Sequence, residues 1–244
     1  MKKIFVRYIV FIICLISMLY SVVKVMMPIN SMNTYLAMGD FLSCDNDEIR
    51  SFSTLVGNYL RDKNYVENTN NNYTMRGIDS SSLLKMIVED TYSGKDDGLS
   101  SLIKESKYLS ISVGLNDILR YIKFDSSNKE MEYDKEFIKR KLEIMKQNYL
   151  EIIEEIKQLN EGVSVYLVGY YCPFMNDNGD KIDGVEVFNL LNEYIRDVSE
   201  LTSVYYLDIE DVSSSSNMLS KNNMYLNQEG HNYIYNAFLN AYFC

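Results

Sequence analysis

The stretch Tyr35–Asp45, YLAMGDFLSCD, decides how the rest of the chain is read. An apolar run ends in Gly39-Asp40 and gives way to polar residues that lead into a helix, so the residue after Asp40 stands at the carboxyl end of a strand. Open α/β sheets hold their ligands at that edge. The position on which function turns is therefore 41, and it is a phenylalanine.

Working outward, Thr34–Met38 reads as the first strand, and Asp45 or Asn46 is placed to cap a helix whose apolar residues Phe52, Leu55, Val56 and Leu60 recur every three to four positions. The stretch NYVENTNNNYTMRG, residues 64–77, predicts a second strand near Tyr65–Asn68, followed by an asparagine-rich loop that ends at Gly77. Asp79 and the serines after it cap a helix through Leu83, Leu84, Met86 and Ile87. The third strand is KYLSISVG, Lys107–Gly114, leading into Leu115-Asn116-Asp117. A long helix runs from about Asp134 to Leu159, with Ile138, Leu142, Met145, Tyr149, Ile152, Ile156 and Leu159 alternating four and three apart. That spacing is coiled-coil-like, but the run is too short to demand a partner helix and reads better as a cover over a sheet. A fourth strand at Val163–Tyr171, a helix at about Val185–Leu201, a fifth strand at Val204–Ile209 and a helix at about Gln228–Tyr242 complete the chain. Strands alternating with amphipathic helices predict a parallel sheet covered on both faces.

At 244 residues and 47% hydrophobic content the chain holds one sizeable α/β core, and 2 prolines and 11 glycines leave little material for a linker. The net charge of -10 hides an asymmetry: residues 1–24 carry Lys2, Lys3, Arg7 and Lys24 and no acid, which leaves -14 on the remainder. A domain this acidic repels phosphate backbones and anionic lipid headgroups, which argues against nucleic acid as a partner. The basic start precedes an uncharged apolar run, Tyr8–Val23, that spans roughly 30 Å if it continues to Met27 with Lys24 snorkelling. No small-residue cleavage site follows, so residues 1–27 are expected to form a retained transmembrane anchor and 28–244 an extracytoplasmic domain; secretion after signal cleavage is the alternative. Cys14 follows Ile13 rather than a small residue and reads as apolar, and Cys44, Cys172 and Cys244 form neither a zinc pattern nor a disulfide framework. No metal or cofactor is expected.

Four motifs in order give the chain a resemblance to the SGNH hydrolases, the GDSL esterase and lipase superfamily. They are Gly39-Asp40, Asn72 to Gly77, Gly114-Leu115-Asn116-Asp117, and NNMYLNQEGH at Asn222–His231. The resemblance covers roughly residues 33–243 and implies a flavodoxin-like three-layer α/β/α sandwich with a five-stranded parallel sheet. It implies an oxyanion hole built from the Gly77 N–H and the Asn116 amide. Leu226, Asn227 and Gly230 set the register of the last motif, so the family's nucleophile, aspartate and histidine map to Phe41, Asn222 and Tyr225. All three are replaced. Phenylalanine has no nucleophilic atom, a phenol of pKa about 10 is a poor base near neutrality, and an amide cannot balance an imidazolium. Ser43 and His231 are the nearest substitutes, although a residue two past the strand end points elsewhere and a first-turn histidine is expected to face solvent or the preceding loop. The expected protein is a catalytically inactive, membrane-anchored member that binds a cell-surface glycan or acyl-glycan, or a partner protein. An active acyl esterase with a non-standard nucleophile and a structural scaffold are the alternatives.

Overall fold

The computed structural model describes residues 33–93, 98–125, 130–173, 185–212, 217–219 and 224–243, all within the compact unit Met32–Cys244. The anchor expected over 1–27, and Asn222, lie outside the described residues. No helix among the described residues is long and apolar enough to cross a membrane.

The first strand, β1 (Thr34–Gly39), is buried along its whole length, as an apolar run in the middle of a parallel sheet must be. It is followed by α1 (Phe52–Asp62), β2 (Asn68–Thr74), α2 (Ser80–Val88), α3 (Leu99–Glu105), β3 (Ser106–Ser112) and the short α4 (Leu115–Leu119). A small antiparallel pair, β4 (Lys123–Asp125) and β5 (Glu130–Glu132), precedes α5 (Lys135–Leu159), β6 (Ser164–Val168), α6 (Val185–Thr202), β7 (Tyr205–Leu207) and α7 (Gln228–Tyr242). The main sheet is five-stranded and parallel throughout, in the order β2-β1-β3-β6-β7. Helices α1 and α7 pack together on one face, and α2, α5 and α6 on the other. The fold is the expected α/β sandwich. Because the chain steps from β1 outward to β2 and then back to β3, the topological switch falls between β1 and β3, and the crevice beyond their carboxyl ends is where such folds place a ligand.

Three local expectations are corrected. The asparagine run is strand rather than loop: Thr34 pairs with Asn68, Leu36 with Asn70 and Met38 with Tyr73. As an edge strand β2 needs few apolar side chains, of which only Tyr73 is fully buried, and main-chain pairing overrides the poor strand preference of asparagine. The cap of α1 is Ser51, with Asp45 one step behind it: Thr54 N–H donates to Ser51 Oγ, and Ser51 N–H and Oγ–H both donate to Asp45 Oδ1 at 2.8 and 2.7 Å. Helices α3 and α4 and the β4–β5 pair are too short for periodicity to reveal. The long α5 keeps its expected span, with Asp134 as cap, and turns Ile138, Leu142, Met145, Tyr149, Ile152 and Ile156 inward as a cover helix.

Candidate functional site

Gly39 and Asp40 end β1 at the switch point. A Cβ on Gly39 would lie 2.1 Å from the Ser112 carbonyl oxygen at φ +141°, so glycine alone allows β1 and β3 to close here. Asp40 N–H donates to that same oxygen at 2.7 Å. The Asp40 carboxyl is fully buried and accepts from Leu42 N–H at 3.1 Å and from Tyr170 Oη–H at 2.6 Å, which fixes the turn Phe41–Ser43. Burial pushes this carboxyl up to about 7 against the pull of its two hydrogen bonds.

The Phe41 ring, 8% exposed, meets Tyr225 edge to face with ring centres 5.3 Å apart and planes at 89°. This is a favoured aromatic geometry. The Arg76 guanidinium lies over the Tyr225 ring at 5.5 Å. Gly77 follows at φ +82°, in a turn that leaves it exposed, and Asn116 Nδ2 donates to the carbonyl of Ile78 at 2.9 Å. Phe41, Tyr225, Gly77 and Asn116 are thus linked through Arg76 and Ile78 at one edge of the sheet, although 184 positions separate the first two. One of the two Asn116 amide protons is already committed to the backbone. The cavity bordered by Phe41, Leu42, Cys44, Arg76, Tyr225 and His231 has a volume of about 80 Å³ and includes neither Gly77 nor Asn116. Larger grooves, about 630 Å³ between α1 and α7 and about 590 Å³ beside β4–β5, lie open on the surface and share no residue with it.

The remaining motif residues hold the backbone around this edge. Asp117 accepts from Ser80 N–H at 2.9 Å and Ser80 Oγ–H at 2.6 Å, tying the start of α2 to the corner after Gly114. Asn227 caps α7 by accepting from Gly230 N–H at 3.1 Å, and its own amide donates to the Met218 carbonyl. Asn72 lies within β2, its N–H donating to Asn70 Oδ1.

Neither substitute considered from the sequence is arranged as a nucleophile and its base. Ser43 is buried, shares a 2.7 Å hydroxyl hydrogen bond with Ser112 Oγ, and its carbonyl accepts from Ser53 Oγ–H. His231 is buried against the start of α1, not turned to solvent: its Nδ1 accepts from Phe52 N–H at 3.2 Å, and burial lowers it to about 4, keeping it neutral. Cys44, a third candidate beside the cavity, donates its thiol to the Asp40 carbonyl, and burial raises it above the ordinary thiol range. Two participants were missed from sequence. Tyr170 is 130 residues from the carboxylate it holds, a contact no local pattern announces. Arg76 stands next to Gly77 as the only cation of its loop, a signal that was legible.

A model of the GDSL-like lipase/acylhydrolase family matches residues 38–233. Among solved structures, the chain is similar to the lipase Lip_vut3 from a goat rumen metagenome, with 16% identity, a TM-score of 0.65, and 86% of this chain and 98% of that one covered. It is also similar to Axe2, an acetylxylan esterase from Geobacillus stearothermophilus, with 17% identity, a TM-score of 0.59, and 88% and 95% covered. Catalytic mutants of that esterase carry alanine in place of a serine and of a histidine. LAE5, an alpha/beta hydrolase from the metagenome of Lake Arreo, follows at 16% identity, a TM-score of 0.60, and 86% and 94% covered. At these identities the likeness is one of fold. A search of curated proteins finds no significant match.

Proposed function

The chain belongs to the GDSL-like lipase/acylhydrolase family, and from that premise we propose that it is a catalytically silent member acting by binding at the cell surface, held in the membrane by its N-terminal segment with the domain outside. One observation carries this reading: the residue at the nucleophile position, Phe41, is packed edge to face on the residue at the histidine position, Tyr225, so the space where an acyl carbon must sit is filled by a ring. Among the described residues, the three candidates near Phe41 do not replace the lost chemistry. The Ser43 hydroxyl is turned to Ser112, the Cys44 thiol is held protonated, and the neutral His231 spends Nδ1 on a backbone N–H. The donors left near Gly77 and Asn116 could steady an oxyanion, but among the described residues no group is placed to generate one.

Of the ligand classes open to such a domain, a partner protein is favoured over a glycan or acyl-glycan. Small-molecule sites usually enclose ~300–1,000 Å³, whereas this cavity is about 80 Å³, so a sugar has no entry unless Phe41 moves. The test is a sensitive one, because the Geobacillus relative is an acetylxylan esterase. The purified full chain is assayed with p-nitrophenyl acetate and acetylated xylan, and exposed to a serine-directed fluorophosphonate. The expected result is neither turnover nor labelling. Turnover that survives repurification and disappears in Ser43→Ala or Cys44→Ala would reinstate a working esterase with a non-standard nucleophile.

A further inference from the structure

At the edge of the sheet opposite the Phe41–Tyr225 cleft, aromatic rings form one continuous contact path from the turn before β2 to β7. Tyr59 meets Tyr65 at 6.4 Å, Tyr65 meets Phe243 at 5.6 Å, Phe243 meets Tyr108 at 5.3 Å, Tyr108 meets Tyr166 at 6.5 Å, and Tyr166 stacks on Tyr205 at 4.9 Å. The inner members close the core, but the ends of the path reach water: Tyr65 is 39% and Tyr205 49% exposed, and Leu201, just before β7, is 66% exposed. Two lysines stand over the path, Lys63 at 5.9 Å from the Tyr59 ring and Lys107 at 5.2 Å from that of Tyr108. Lys107 also donates to the Tyr65 carbonyl, while Glu67 and Glu105 at the same edge keep the local charge mixed. Rings with an apolar body and a polar tip, interleaved with lysines, are the composition that settles at the headgroup level of a bilayer.

The chain enters the domain at this edge. Asn33 N–H donates to the Glu105 carbonyl, and the Asn33 carbonyl accepts from Glu67 and Asn68 N–H at 2.7 and 3.0 Å. If the lipid-spanning run ends at Met27, the connection from there to Asn33 reaches roughly 20 Å at full stretch. That is about half the ~40 Å breadth of a domain of this size. A connection that short would keep the amino edge near the headgroups, whereas the cleft lies beyond the ~20 Å rise of β1 on the other side.

We propose that the amino edge of the sheet, marked by Tyr65, Tyr108, Tyr205 and Phe243, is the face that rests on the lipid headgroups, and that the cleft is thereby presented outward. The proposal rests on the N-terminal segment being a retained anchor. It assigns the partner of the cleft to the space outside the cell rather than to the membrane.

The chain has no tryptophan, so a single introduced indole reports on one place. Full-length Tyr65→Trp, Tyr205→Trp and Met75→Trp are reconstituted in zwitterionic phosphatidylcholine vesicles, which do not repel the acidic domain, with and without lipid brominated near the glycerol end of its acyl chains. Met75 is 51% exposed and follows the carboxyl end of β2. The indoles at 65 and 205 should lose about half their emission or more, as expected of rings at headgroup depth, while that at 75 stays unquenched. Either of the first two decides the matter if the other variant folds poorly. Equal quenching at both edges, or none at 65 and 205 in protein that resists alkaline carbonate extraction, overturns the orientation and leaves the anchor standing. Release of the chain by carbonate overturns the anchor, and the proposal with it.

Discussion

Truncating Phe41 to alanine measures whether the cleft is filled or merely narrow. The ring is 8% exposed, pairs edge to face with Tyr225 and borders a pre-existing cavity of about 80 Å³ that has not collapsed. Buried Phe→Ala changes cost ~3–5 kcal/mol, and the cost is greater where the surroundings cannot relax into the space. The aromatic pair supplies ~0.5–1.5 kcal/mol of that figure. For the full chain in mild detergent, with an m-value near the upper end of the ~1–3 kcal/mol/M range for urea, the unfolding midpoint should fall by roughly 1–1.5 M at unchanged m. A working site behaves in the opposite way, since its nucleophile is held in a polar, strained setting and its replacement often stabilises. A midpoint shift of less than ~0.3 M, equivalent to under about 1 kcal/mol, would show that the ring is solvated and the cleft open, and would return a small ligand to first place.

Gly39→Ala places a methyl group 2.1 Å from the Ser112 carbonyl oxygen between two central strands, so the variant should fold poorly or lose more than ~3 kcal/mol; a thermal midpoint within a few degrees of the parent would refute the close approach. The pH dependence of stability should contain two opposed contributions. The Asp40 carboxyl titrates near 7 in the folded state against 3.8 otherwise, so the folded chain binds the extra proton and stability from this group falls as pH rises from about 4 to 7. His231 titrates near 4 against 6.5, so the unfolded chain binds the extra proton and stability from this group rises as pH rises from about 4 to 6.5. The two largely offset each other between about pH 4 and 6.5, so Asp40→Asn should leave a net rise of stability with pH across that window, and His231→Gln a net fall. Profiles of both variants that run parallel to the parent would show that neither group is buried as described.

The fold was legible because its signals are local and repeated. β1, β3 and β6 are apolar runs bounded by glycine or polar turns, and α5 and α7 keep their periodicity over 25 and 15 residues. The edge was not legible: β2 carries four asparagines, and only its pairing with β1 makes it a strand. At the site, the motif register placed Phe41, Gly77, Asn116 and Tyr225 together, because order along the chain determines order around the switch point of a parallel sheet. The ring-on-ring closure and the Tyr170 hydrogen bond to Asp40 were out of reach, since each depends on side-chain directions between residues more than a hundred positions apart. The burial of His231 was missed for the same reason: the N–H it accepts from belongs to Phe52.

The pattern of what matches and what departs from the family's motifs has a physical explanation. Gly39 admits the neighbouring strand, Asp40 holds the turn after β1 through Leu42 and Tyr170, Asp117 fastens α2 through Ser80, and Asn227 caps α7. Each of these removes strain or satisfies a buried polar group, and altering any of them costs stability whether or not a reaction takes place. Phe41 and Tyr225, the two described positions that depart, satisfy no such backbone need with the side chains a triad would require. A serine and a histidine there would be answerable to a substrate alone, and if, as proposed, no substrate is turned over, packing decides the position. Two aromatic rings in edge contact bury more surface than a hydroxyl and an imidazole. The motif that led to the family is therefore evidence about the frame, and its survival carries no weight as evidence for hydrolysis; only the side chains facing the cleft bear on that question, and two of them, Phe41 and Tyr225, are turned toward each other.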